Sequence, residues 1–184
     1  MRRTIKYGGL AVWLLTLTLL NGCLGRPAAL APFDSPIESR LILQVPFFSD
    51  AGESGAAGAM AEVLTYNGRS SDPDKVRLAL DGRAPTPQIL TVMARGENLR
   101  AEFRQGTPDD LLTAVRKHQP AIVRMGAAAS PLGAGDYAVV VGYTPEGPVV
   151  NSGRGHINQQ IVSWADFLTG WHQGGNTVIL IEPN

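Results

Sequence analysis

The sequence changes character near residue 118, and that change restricts the fold more than any short motif does. Before it, a side-chain oxygen precedes a proline three times, at Asp72-Pro73, Thr86-Pro87 and Thr107-Pro108. Each pair supplies an N-cap acceptor and a preset φ at the first helical position, so each marks a helix start. Upstream, 54–66 is rich in alanine, carries Met60, Val63 and Leu64 at helical spacing, and runs into Asn67-Gly68, which stops a helix. The third start has Asp109 and Asp110 in its first turn and Arg116, Lys117 and His118 in its last, which matches the helix dipole. Four helices are expected before residue 118. After it, 121–125, 137–143, 149–150 and 177–181 are β-branched or aromatic between Gly and Pro turns, with Pro145-Glu146-Gly147 suited to a hairpin. The apolar run 41–48, interrupted by Pro46, suits an edge strand or a lead-in segment. Helices followed by antiparallel strands specify an α+β domain rather than a doubly wound sheet.

The N-terminus belongs to no such fold. Arg2, Arg3 and Lys6 precede an eleven-residue apolar stretch, 10–20, which is too short to span a bilayer comfortably. This is the layout of a secretory signal. It ends in Leu20-Asn21-Gly22-Cys23, which resembles the bacterial lipobox, and the resemblance implies acylation of Cys23 as the first mature residue. The expected organisation is a signal peptide over 1–22, a Pro/Ala-rich tether over 23–40 and a folded domain over 41–184. Acyl chains would anchor the protein to the membrane without spanning it. Leu24 stands where inner-membrane retention typically requires aspartate, so the outer membrane, on its periplasmic side, is the expected location.

Composition removes several function classes. With 16 basic and 16 acidic side chains in 184 residues, there is no electrostatic case for binding nucleic acid. Loss of 1–22 takes away three basic groups and no acid, leaving the remainder acidic. One cysteine excludes an intrachain disulfide framework and a thiolate metal cluster. No cofactor or metal is expected.

From residue 45 onward the chain resembles the C39-like branch of the papain-like cysteine peptidases. The resemblance rests on Val45-Pro46-Phe47-Phe48, then Ser54-Gly55-Ala56-Ala57 where the family reads Cys-Gly-Pro-Ala-Ala. It continues with Gly135-Asp136-Tyr137 and a valine run to Gly142-Tyr143, where the family reads Gly-His-Tyr, and with Asn151-Ser152-Gly153 where it reads Asn-Asp-Pro. Trp164 to Trp171 fills its Trp/Phe segment. The resemblance implies a papain-like fold in which N-terminal helices pack on a C-terminal antiparallel sheet.

The departures fall on the chemistry. The family's nucleophilic cysteine is replaced by Ser54, its histidine by Asp136 and its aspartate by Ser152; for the oxyanion-hole glutamine, Asp50 is the nearest counterpart and Gln44 a more distant one. A cysteine peptidase needs a thiolate, and the only thiol is Cys23. A serine needs a base matched to it, which a carboxylate is not. The expectation is a pseudo-peptidase with no catalytic residues.

Among the histidines, His118 reads as a helix-end surface residue and His172 as a loop or packing residue. His156, in 152–156, is either an exposed loop histidine or a relocated partner for Ser54, which would make an active serine variant. Asp50, Glu53 and Asp136 are either solvated loop acids or an acidic pocket for a cation or an amine. The loop 126–135 is flexible and without a phosphate-binding fingerprint. The expected use is peptide or protein binding at the envelope, assisting secretion or assembly. The groove is expected at Leu43, Asp50, Glu53, Ser54, Ala134, Gly135, Asp136 and Asn151.

Overall fold

The structure, a computed structural model, describes residues 33, 37, 39–50, 54–126, 137–152 and 156–184. These belong to one compact unit, Pro32–Asn184. The lipobox with Cys23, and likewise Glu53, Ala134, Gly135 and Asp136, lie outside the described residues.

The capped prolines start helices as their chemistry dictates. Helix α1 is Ala56–Tyr66, α2 Pro73–Leu80, α3 Pro87–Gly96 and α4 Pro108–Arg116. Asp72 accepts from Lys75 N at 2.9 Å, Thr86 from Ile89 N at 3.3 Å, and Thr107 forms a capping box with Asp110. Such caps contribute about 1 kcal/mol each. The Trp/Phe segment forms helix α5, Trp164–Gln173, in which Phe167 and Trp171 are wholly buried.

The strands are β1 Leu41–Ile42, β2 Leu99–Gln105, β3 Ala121–Arg124, β4 Tyr137–Tyr143, β5 Pro148–Ser152, β6 Ile157–Ile161 and β7 Thr177–Pro183. They form one sheet in the order β2-β7-β3-β4-β5-β6, every pair antiparallel, with β1 beside β4. The domain is α+β. Strand β4 is central and buried along its whole length, which is why its sequence reads as an uninterrupted apolar run. Gly142 is obligatory where β1 arrives: a Cβ there would overlap Leu41 O and press on Ile42. At the β4–β5 hairpin a Cβ on Gly147 would overlap Val162 O.

Two expectations need correction. A strand, β2, interrupts the helices before residue 118 and closes the sheet's first edge against β7. Only Leu99 and Ala101 of β2 are buried, so its exposed Arg100, Glu102, Arg104 and Gln105 give it a polar texture that hides the strand. Strand β6, INQQI, is equally polar because it forms the other edge. His118, moreover, does not lie in the last turn of α4: it follows the cap in a left-handed conformation (φ 58°), and its carbonyl accepts from the Tyr66 hydroxyl at 3.0 Å.

Helix α1 lies on β4, with further contacts to β3 and β5, while α3 covers β2 and β7. Nine of the eleven α1 residues are buried, and its alanines allow close approach to the sheet. That burial, with about 1.5–3 kcal/mol for each large apolar side chain, is what fixes the head of α1 against the sheet.

Candidate functional site

The site follows from how α1 begins. Gly55 takes a left-handed conformation (φ 64°) as the N-cap, a turn that glycine makes without steric cost. Ser54, half-buried just before it, directs its hydroxyl to the helix's own Ala56 N at 3.4 Å. The Ser54 carbonyl accepts from Tyr137 N at 2.8 Å, so the helix head is tied to the first residue of β4. Strand β4 in turn pairs with β5, Val139 opposite Asn151, and β5 ends at Ser152. The positions 54 and 152 of the resemblance, and the residue that follows 136, therefore meet at one end of the sheet.

The side chains found there are occupied elsewhere. Ser152 is fully buried and its hydroxyl has no hydrogen-bond partner among the described residues. Leaving such a group unpaired costs about 1–3 kcal/mol. The exposed His156 is hydrogen-bonded through Nδ1 to the Ser49 hydroxyl, and no imidazole among the described residues bonds to Ser54. His118 and His172 are exposed at the ends of α4 and α5. Leu43 is a core residue, 3% exposed, whose N–H continues the β1 alignment by donating to Val141 O at 2.8 Å.

Asp50 is not a solvated loop acid. It is 2% exposed, accepts from Gly58 N at 3.2 Å and is paired with Arg77, which also reaches Asp74. This fastens the lead-in segment to α1 and α2. Among the described residues no group of three or more His, Cys, Asp or Glu could hold a metal ion.

One residue escaped sequence reasoning altogether. Glu62, on α1, is wholly buried. Its two oxygens accept from Phe48 N at 3.2 Å and from Asn151 Nδ2 at 3.0 Å, while Asn151 Oδ1 accepts from Gln159 N at 2.9 Å. Burial pushes the carboxyl up to about 7, against the two hydrogen bonds, which favour the charged form. Asn151 is thus the joint between α1, β5 and β6 rather than an open groove residue. The sequence signal was available: one acid within the otherwise apolar stretch AAGAMAEVL. Tyr137 is another addition. Its hydroxyl donates to Pro85 O at 2.7 Å, and burial pushes it up to about 12.

No protein-family model matches the sequence, and no curated protein matches it. Solved structures do. A Bacillus anthracis protein assigned to the C39-like peptidases superposes with a TM-score of 0.67 at 18% identity, covering 80% of this chain and 99% of that one. The double glycine motif protease of an AMS/PCAT transporter, solved with a leader peptide, gives 0.61 at 16% identity over 78% of this chain and 94% of its own. The peptidase domain of Streptococcus ComA, a bifunctional ABC transporter, gives 0.60 at 12% identity over 75% and 98%. The chain therefore has the fold of C39-like peptidase domains. Among the described residues no helix is long and apolar enough to cross a membrane.

Proposed function

We propose that this chain is an exported lipoprotein whose C39-like domain has lost peptidase chemistry and serves as a peptide- or protein-binding module of the bacterial envelope. One observation carries the reading. The head of α1 presents the Ser54 hydroxyl to its own helix, and the chain's sole thiol, Cys23, precedes the domain. Without a thiolate or an imidazole-activated hydroxyl, no nucleophile is available for an amide carbonyl. The unpartnered Ser152 and the diversion of His156 to Ser49 support the same conclusion. That a protease of this fold was solved with a leader peptide supports peptide binding as the retained use.

Activity and binding are tested separately. Purified protein treated with a fluorophosphonate probe is expected to remain unlabelled, and labelling that disappears in Ser54→Ala would overturn the reading. Titration with envelope-derived peptides is expected to shift backbone resonances at 54–57 and around 137. For the anchor, palmitate incorporation is expected in the wild type and not in Cys23→Ala.

A further inference from the structure

Resting on that reading, we propose that the cavity bounded by the start of α3 and the ends of β2, β3 and α5 is a carboxylate-binding subsite. Arg124 holds a peptide's carboxylate there, and Phe103 carries the apolar residue beside it.

The cavity measures about 540 Å³, and among the described residues its lining includes two arginines and no acid. The two arginines are not equivalent. Arg104 is committed, with Asp110 at 2.9 Å and Glu102 at 3.5 Å, and its hydrogen bond is the main reason the Asp110 carboxyl is held well below the usual carboxylate range. The Arg124 side chain is exposed and makes no hydrogen bond or ion pair among the described residues. Its guanidinium offers a planar fork whose geometry suits a carboxylate.

The wall that carries Arg124 is rigid. A Cβ on Gly174 would overlap Arg124 O, one on Gly126 would overlap Gln173, and Gly126 N donates to Gly170 O at 2.7 Å. The end of β3 is thereby locked against the end of α5, which is the preorganisation that a binding group needs. On β2, separated from β3 by β7 in the same sheet, Phe103 is 40% exposed, and of the large exposed apolar side chains it is the one that lines this cavity. Among the described residues, a cation without an ion pair, an exposed ring and no acid line the cavity, and together they select an anionic group with an apolar neighbour.

The position suits the proposed module. Arg124 is in register with Tyr137, whose N–H holds the Ser54 carbonyl, so cavity and helix head flank the same pair of strands. A peptide lying along that end of the sheet could touch both.

The test uses the full-length chain in detergent and two peptides, a six-residue Leu/Ala peptide with a free C-terminal carboxylate and its C-terminal amide. The free acid is expected to bind at least tenfold more tightly, with resonance shifts at 103, 124 and 174. Arg124→Gln, whose melting temperature should be unchanged because the side chain is exposed and unbonded, is expected to erase the preference while leaving the amide's affinity intact. Arg124→Lys should retain part of it. Equal binding of acid and amide by the wild type, or a preference that survives in Arg124→Gln, overturns the subsite and leaves the module standing. Failure of both peptides to bind overturns the subsite and the module together.

Discussion

The two sides of α1 each bury a carboxylate, and they stabilise it in opposite ways. Toward α2, Asp50 is 2% exposed and meets a cation: Arg77 reaches in from a half-exposed position on the neighbouring helix. Toward the sheet, Glu62 is 0% exposed and meets only neutral donors, the Phe48 N–H and the Asn151 amide. A long arginine at the rim can keep its stem against the protein and part of its head in water. The interface with β5 has no such rim, so desolvation dominates and the Glu62 carboxyl moves up to about 7. Equal burial therefore gives an ion pair on one side and, on the other, a carboxyl whose pKa burial has raised.

Removing the cation should be the most damaging test of this contrast. Arg77→Met removes the guanidinium that pairs with Asp50 while the Gly58 N donor remains. A loss of about 3 kcal/mol is expected in urea unfolding at pH 7, compared with a fraction of that for Lys75→Met, whose pair with Asp72 is exposed.

The Glu62 side should respond to pH instead. Its pKa is raised from 4.5 to about 7 on folding, so the stability it lends is complete below about 4.5 and is lost as pH rises through 7. Unfolding free energies from denaturant titrations at pH 5, 6, 7 and 8 should fall by up to about 3 kcal/mol in total, and Glu62→Gln should flatten that slope. A slope that survives in Glu62→Gln would assign the titration to another group.

Smaller effects separate two neighbours on β5. Asn151→Ala deletes a donor to Glu62 and an acceptor for Gln159 N. About 2 kcal/mol should be lost, and the midpoint of the pH dependence should move upward, because the Asn151 hydrogen bond is the larger of the two that favour the charged form. Ser152→Ala removes a buried hydroxyl that makes no hydrogen bond among the described residues, so unfolding should show a gain of up to about 1 kcal/mol. A clear loss would mean that the hydroxyl has a partner after all.

Helix starts, the central strand β4 and the hairpin at 144–147 were legible because their causes are local. A capping oxygen before proline, a β-branched run and a Gly/Pro turn act within a few residues. The edge strands β2 and β6 were not, since a strand covered on one side or neither carries the polar residues of a loop. Of the candidate site, the hydroxyls at 54 and 152 could be read directly, whereas the settings of Glu62, Tyr137 and Arg124 could not. Each gains its character from a partner far along the chain, or from the lack of one.

By itself, then, the sequence determined an α+β domain behind an apolar N-terminal stretch ending in the only cysteine, with hydroxyls at positions 54 and 152. Which carboxylate would meet a cation and which only neutral donors, where His156 would turn and which arginine side chain would lack an ion pair among the described residues were decided only when the chain closed on itself. Desolvation and hydrogen bonding depend on what surrounds a group in space, and residues 48, 62, 151 and 159 become neighbours only in the folded molecule.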